Sequence, residues 1–480
     1  MPTTAHIIGS GPNGLAGAIV LAQAGLAVEV YEAQPTPGGA CRTLPLTLPG
    51  FLHDFGSAVH PLAAGSPFFS SLPLADHGLN WIHGEAPLAH PLDDGTAVVL
   101  ERNLDAAASE FGVDGDAWRK LVEPIAMHWE SFAEDALGPV LRIPSHPIRM
   151  VRFALPAFTP APSLARSRFN NPRTRALFAG LAAHSCLSFD QPLSSAISLV
   201  LAASAHAVGW PIPQGGAQAI TNALVSYLET LSGNLLSSHC VDAEEFRALQ
   251  ASGALILCDT SPSQLLTLAG PALTPDTRNA YTRFQPGPGA FKVDYALSEP
   301  VPWKAKECSR AITIHLGGTF EEIATSELAV SQGRIPERPF VLAAQPTLFD
   351  PTRATAGKHT LWAYCHVPNN WKPNGTDIDM TARIESQIER FAPGFKDCIL
   401  ARHISSPEKL ESMDANLIGG DIGGGANSLR QFLFRPSVRN YATGTSNLYL
   451  CSASTPPGGG VHGMCGYHAA KLALHRLMRT

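Results

Sequence analysis

The sequence predicts an α/β fold: a parallel-sheet domain, discontinuous along the chain, carrying inserted α+β segments. Three observations predict it. A strand, a glycine-rich turn, a helix and a second strand occupy the first 32 residues. Strand, turn and helix signals of the same kind return between residues 206 and 270, after an interval without them. A glycine triplet, Gly458 to Gly460, then precedes the last helical pattern. At 480 residues the chain is also long for a single core, so two substructures are expected.

The first unit starts with the short apolar run Ala5 to Ile8. The turn Gly9-Ser10-Gly11-Pro12-Asn13-Gly14 follows, then a helix through Ala18, Leu21 and Ala22 that stops at Gly25. A second strand, Ala27 to Tyr31, ends at Glu32. Gly-x-Gly-x-x-Gly in this context is a dinucleotide-binding fingerprint. Gly9 permits the tight turn, Gly11 lets the backbone approach a pyrophosphate, and Gly14 and Gly17 let the helix lie close to the sheet. The helix N-terminus offers free N–H groups and a positive dipole end to phosphate. Glu32, followed by Ala33, is placed to accept bonds from ribose hydroxyls. The fold is therefore read as Rossmann-type.

A second glycine pair follows the acid at once, in Pro37-Gly38-Gly39-Ala40-Cys41-Arg42-Thr43. The segment Asp54-Phe55-Gly56-Ser57-Ala58 comes next. A loop with glycines and an arginine beyond the first turn suits a cofactor longer than one mononucleotide, and Arg42 suits an anion. The stretch from Glu32 to Thr43 resembles the second FAD signature of the carotenoid desaturase and amine oxidase group of flavoproteins. That resemblance implies FAD as cofactor, with Arg42 near it and Gly56 to His60 running towards the isoalloxazine.

Further along, Trp210-Pro211-Ile212-Pro213-Gln214-Gly215-Gly216 precedes a helix with Ile220, Leu224, Tyr227, Leu228 and Leu231 on one face. A strand is expected around His239 to Val241, and another from Ala254 to Cys258, ending at Asp259 and Thr260. Residues 75–205 read as mostly helical with proline breaks. The motifs at Trp210 to Gly216, Asp259 to Pro262, Gly289 to Leu297 and His315 to Glu322 are similar to those of phytoene-dehydrogenase-related oxidoreductases. The nearest subgroup is the one called pyridine nucleotide-disulphide oxidoreductase domain-containing protein 2.

The resemblance implies a glutathione-reductase-like FAD domain over 1–75, 206–270 and 425–480. The substrate domain would cover 76–205 and 271–424, with a helical cap. It implies that Val241 meets the adenine through its backbone. It also places Gly459, Gly460 and Val461 beside the flavin pyrimidine ring, ahead of a helix with Ala470, Ala473, Leu474 and Leu477 on one face. The flanking residues, Cys451 to Thr455 and His462 to Cys465, differ from the carotenoid desaturase pattern. The FAD contacts expected are thus Gly9, Gly11, Pro12, Asn13, Gly14, Glu32, Ala33, Gly38, Gly39, Arg42, Gly56, Ser57, Ala58, Val241, Gly459, Gly460 and Val461.

Composition excludes several classes. A net charge of −6 gives no general attraction to nucleic acid. The nine cysteines include no Cys-x-x-Cys, which argues against a disulfide framework, a zinc ribbon or a dithiol centre. Cys451 and Cys465 lack companion ligands, so no metal is expected. Reduced cysteines and the absence of a targeting pattern or a long apolar run predict a cytoplasmic protein, without a spanning helix. From Leu141 to Phe178 there are seven arginines and no acid, interleaved with Ile148, Val151, Leu155 and other apolar residues. That pattern suits peripheral contact with anionic lipid.

The expected function is FAD-dependent hydride transfer to or from a hydrophobic, isoprenoid-like or unsaturated compound. Oxygen, a quinone or NAD(P) would serve as electron acceptor. The same fold would serve a saturase, a redox-neutral polyene isomerase, an amine oxidase or a flavin-bound interaction protein. Homo-oligomerisation is left open. No catalytic acid or base is fixed by the sequence; His60 and His462 are the candidates nearest the expected flavin loops. Amine oxidation would call for an aromatic cage, and the tryptophans and tyrosines form no local cluster in the sequence.

Overall fold

The computed structural model describes residues 4–373 and 378–479; positions 1–3, 374–377 and 480 of the expected domain spans lie outside the described residues. Two large sheets organise the chain. The first has five parallel strands in the order Leu448–Leu450, Leu255–Cys258, Thr4–Ile8, Ala27–Tyr31 and Asn234–Leu236. Each is three to five residues long and largely apolar, as expected of strands covered on both faces.

The helix Pro12–Gln23 follows the first strand and packs against the final helix, Met464–Leu477. Their approach is close because Gly466 faces the first helix: a Cβ there would lie 1.7 Å from the Asn13 carbonyl oxygen. Both ends of the chain are thereby held at one nucleotide-type sheet, and together with the strands from 234–258 they make it discontinuous in sequence.

The second sheet has seven strands in the order Ile399–Ser405, Gly289–Leu297, His359–Val367, Val341–Ala344, Ala311–Leu316, Ala86–Pro91 and Ala97–Leu100. Most pairs are antiparallel, but Ala311–Leu316 runs parallel to Ala86–Pro91. Helices from 104–207 and Phe320–Ser331 cover it on one side, while Met380–Phe391 belongs to a separate apolar cluster on the other.

Two sequence expectations change. The stretch 75–205 is not only helical: Ala86–Pro91 and Ala97–Leu100 form a hairpin that joins the second sheet. The strand expected around His239 to Val241 lies earlier, at Asn234–Leu236. After it Ser238 has a positive φ of 55°, and the chain turns back so that the His239 N–H donates to the Glu32 carbonyl at 2.8 Å. Asp242 then caps the helix Ala243–Ala251, so Val241 sits in a loop.

Candidate functional site

A continuous cleft of about 670 Å³ runs from the glycine turn to the second sheet. Its first end is bounded by Gly9 to Asn13, Glu32 to Gln34, Val241 and Thr260. Gly11 is the N-cap of the first helix and brings no side-chain cap, so the turn presents backbone. A Cβ on Gly14 would lie 2.1 Å from the Gly9 carbonyl oxygen, which is why this turn needs glycine there. Glu32 holds the turn from the next strand, accepting from the Ser10 hydroxyl and its N–H (3.1 Å), and it accepts from the Gln34 N–H at 2.8 Å.

Three carboxyl groups crowd this end. Asp259 accepts from the Gly14 N–H at 2.8 Å, Asp414 accepts from Asn416, and Glu32 lies between strand and turn. Burial, with Asp414 and Glu32 as like charges, pushes Asp259 up to about 7, while burial also raises Asp414. Asp259 therefore keeps its proton to higher pH than an ordinary carboxyl, which reduces negative charge where an anion would bind. Arg42 is buried beside them, donating to the carbonyls of Gly39 at 2.6 Å and Met413 at 2.7 Å, with its guanidinium over the Phe55 ring.

The arrangement fits a dinucleotide. The cleft is continuous, the helix N-terminus is open, and two buried polar atoms on its walls, Asn13 Oδ1 and Thr260 Oγ1, have no protein partner. Past Gly56, Ser57 and Ala58 the walls become apolar, with Val59, Leu62, Leu201, Ala290, Leu342 and Ile422. Trp362 joins the two ends by donating its indole N–H to the Gly56 carbonyl at 2.8 Å.

The second end carries the chemistry-bearing side chains. Lys292 faces the cleft from the centre of its strand, paired with Asp294, with its ammonium 5.8 Å from the Trp362 ring centre. Burial lowers the Lys292 pKa against the pull of Asp294, and burial raises Asp294 to about 6. Behind them Asp54 accepts from Arg353 at 2.8 Å, from the Thr43 hydroxyl and from the Ala217 N–H. These contacts outweigh burial and leave Asp54 below its ordinary pKa.

Of the residues expected at the cofactor, Gly9, Gly11, Pro12, Asn13, Glu32, Ala33, Gly39, Arg42, Gly56, Ser57, Ala58, Val241, Gly460 and Val461 line the cleft. Gly14 lies beneath the turn, and Gly38 supports it from behind by donating its N–H to Ser10 Oγ at 3.1 Å. In the glycine triplet only Gly460 reaches the cleft wall. A Cβ on Gly458 would lie 2.8 Å from the Arg435 guanidinium, and one on Gly459 would lie 2.7 Å from the Gly423 carbonyl.

His60 is on the wall, kept neutral by burial that lowers it to about 4. His462 is not: its Nδ1 accepts the Met464 N–H at 3.0 Å at the start of the last helix. Among the described residues no group of three or more metal-ligating side chains is placed to hold a metal ion.

Sequence reasoning did not single out Lys292, Trp362, Tyr364, His184 or Asp414. The signal for the first was present, because Lys292 and Asp294 are charges inside an otherwise apolar strand, Gly289–Leu297. The aromatic side chains correct an expectation. Trp362 and Tyr364 alternate on one strand, with ring centres 5.1 Å apart, and Trp210 and His184 share the same cleft. They form an aromatic wall in space although they are dispersed in sequence.

Residues 7–70 match the family model described as an NAD(P)-binding Rossmann-like domain. Over 98% of its length the chain is 25% identical to pyridine nucleotide-disulfide oxidoreductase domain-containing protein 2 of Mus musculus, spanning 93% of that protein. It is 22% identical to a 1-hydroxycarotenoid 3,4-desaturase of Flavobacterium sp. (strain P99-3), over 95% of this chain and 96% of that one. The structure of cyclohexylamine oxidase from Brevibacterium oxydans IH-35A superposes with a TM-score of 0.57 at 14% identity, covering 100% of both chains.

Proposed function

We propose, from homologues and structural neighbours that are oxidoreductases, carotenoid desaturases and an amine oxidase among them, that this chain is an FAD-dependent oxidoreductase acting on a hydrophobic, unsaturated substrate. The observation that carries this reading is the continuity of the cleft. A glycine turn suited to a diphosphate opens without a break onto an apolar and aromatic wall. FAD bound there would supply hydride transfer at its N5 atom.

The chain's own residues would do the rest. Gly11 and the open helix N-terminus would receive the diphosphate, and a proton held on Asp259 would lessen its repulsion. Leu201, Leu342, Trp362 and Tyr364 would hold an apolar chain and exclude water. Lys292 would place a buried positive charge at that wall, where negative charge developing during reduction is stabilised. His60, kept neutral by burial, and His184 are the imidazoles that this part of the wall offers as weak proton acceptors. Electrons would leave to a diffusible acceptor: oxygen, a quinone or NAD(P).

Amine oxidation is the second reading, favoured by the aromatic wall. Lys292 weighs against it, because its ammonium already occupies the space near Trp362 and would repel a protonated amine.

The route for an apolar substrate would start at a lipid surface. On the helix Pro147–Ala157, Ile148, Val151 and Leu155 are 71%, 60% and 71% exposed, and Ile143 just ahead of it is 94% exposed. Arg142 and Arg152 lie among them. This helix packs on Ala196–Ala207, whose Leu201 lines the cleft. No helix among the described residues is long and apolar enough to cross a membrane, so contact would be peripheral.

An anaerobic bleaching assay tests the function. The holoprotein is mixed separately with unsaturated and saturated isoprenoids, amines, NADH and NADPH. Bleaching by an isoprenoid is expected. Bleaching by amines alone would replace the reading with amine oxidation, and bleaching by a nicotinamide alone would indicate a reductase or a reductively activated isomerase.

A further inference from the structure

The geometry points to a second reactive site: Cys186, His366 and Glu327 form an activated thiol that takes small hydroperoxides beside the substrate end of the cleft. Cys186 Sγ lies 3.4 Å from His366 Nε2, and His366 Nδ1 lies 2.9 Å from Glu327 Oε2. Cys186 is partly exposed, whereas the His366 and Glu327 side chains are each 2% exposed. The second oxygen of Glu327 has no hydrogen-bond partner, so the imidazole is the group that balances this buried carboxylate.

The chemistry follows from the order of the three groups. Glu327 fixes hydrogen on Nδ1 and aims Nε2 at the sulfur, which passes its proton to the ring. Burial opposes a charged imidazole, but Cys186 and Glu327 raise the His366 pKa well above its ordinary value. Cys365, buried next to His366 in the chain, interacts electrostatically with Glu327. Two further titratable residues face the site: Tyr364, whose ring centre is 5.6 Å from that of His366, and His184, whose carbonyl lies 3.9 Å from the sulfur. Both belong to residues on the cleft wall, and Asn427 ties the same loop to the segment after Gly424 through the Ser185 carbonyl. By contrast, burial pushes the thiols of Cys41 and Cys308 up to about 12 and leaves them inert.

A thiol whose proton passes to the neighbouring imidazole as the sulfur attacks supplies both parts that reduction of a peroxide requires. The sulfur attacks one oxygen of the O–O bond, an S–O bond forms, and the O–O bond breaks. The departing hydroxide (alkoxide from an organic hydroperoxide) takes the proton of His366 and leaves as water or alcohol. Sulfur is oxidised by two electrons to the sulfenic acid, and the peroxide is reduced by the same two. An external thiol would return the cysteine to its starting state.

The test uses the full chain with its cofactor at pH 7. Hydrogen peroxide is added in equimolar amount, sulfenic acid is trapped with dimedone, and the label is located by peptide mass spectrometry. Iodoacetamide alkylation is timed in parallel against free cysteine. Cys186 should be trapped first and alkylated roughly tenfold faster than free cysteine, as expected for a thiol with a general base within hydrogen-bond reach. Glu327→Gln should slow both reactions roughly tenfold at unchanged melting temperature, and His366→Asn should slow them further. If His366→Asn does not fold, Glu327→Gln alone decides. Alkylation no faster than free cysteine, or an unchanged rate in Glu327→Gln, would overturn the proposal.

Discussion

The two sheets treat buried charge in opposite ways. At the five-stranded sheet, Glu32, Asp259 and Asp414 crowd together with Arg42 as the cation among them, and backbone N–H groups and the raised pKa of Asp259 make up the difference. Around the seven-stranded sheet buried carboxylates are paired with side chains of opposite charge: Asp54 with Arg353, Asp294 with Lys292, Glu327 with His366. The first end is thus arranged to receive negative charge from outside. The second neutralises itself and presents aromatic and aliphatic surface to its ligand.

Breaking the first end should have the largest effect. Gly14→Val drives a side chain into the Gly9 carbonyl and displaces the turn, so FAD affinity should fall by roughly a hundredfold or more, read by titrating apoprotein with FAD. Breaking the second end should instead cost stability. Arg353→Met strands Asp54 without its cation and should cost about 3–5 kcal/mol in chemical denaturation. The double variant with Asp54→Asn should recover most of that, because the uncompensated charge is gone.

Lys292→Met sharpens the contrast between holding a cofactor and using it. Asp294, already raised to about 6, can take up a proton when its partner is lost, so the fold should survive. Flavin content should stay unchanged while the rate of substrate-driven flavin reduction falls roughly tenfold or more.

The pH dependence distinguishes the ends with a smaller effect. Between about pH 4 and 7 the unfolded chain has released the Asp259 proton and the folded chain keeps it, so this group's contribution to stability declines as pH rises through that window. Asp54 has the opposite sign: its folded pKa is depressed, and its contribution is lost as the solution is acidified. FAD affinity should accordingly be a few-fold higher at pH 6 than at pH 8, and Asp259→Asn should flatten that profile.

The smallest effect is expected at the surface. Val151→Glu on the exposed helix should leave the melting temperature within about half a kcal/mol equivalent of the parent. It should still reduce flotation with anionic liposomes, whereas unchanged flotation would remove the lipid route.

Much of the five-stranded end was legible because its constraints are local. Gly9, Gly11, Gly14 and Glu32 lie within 24 residues and their spacing alone encodes turn, close approach and acid. The second end resisted because its neighbours are distant in sequence. Lys292 stands opposite Tyr364 in the strand register, Arg353 reaches Asp54, and Ala86–Pro91 finds its parallel partner at Ala311–Leu316. No local period records such pairings. The glycine triplet shows an intermediate case: its unusual composition was visible, but two of its three close approaches are to Arg435 and Gly423 and one is to the cleft.

The central claim is that the cleft holds FAD and leaves its far wall to an apolar substrate. Titration of apoprotein with FAD and, separately, with NAD, followed by flavin fluorescence and calorimetry, tests it most directly. Tight equimolar binding of FAD with weak or no binding of NAD, lost in Gly14→Val, is the predicted result. A protein that binds NAD in equimolar amount and does not retain FAD would contradict the account.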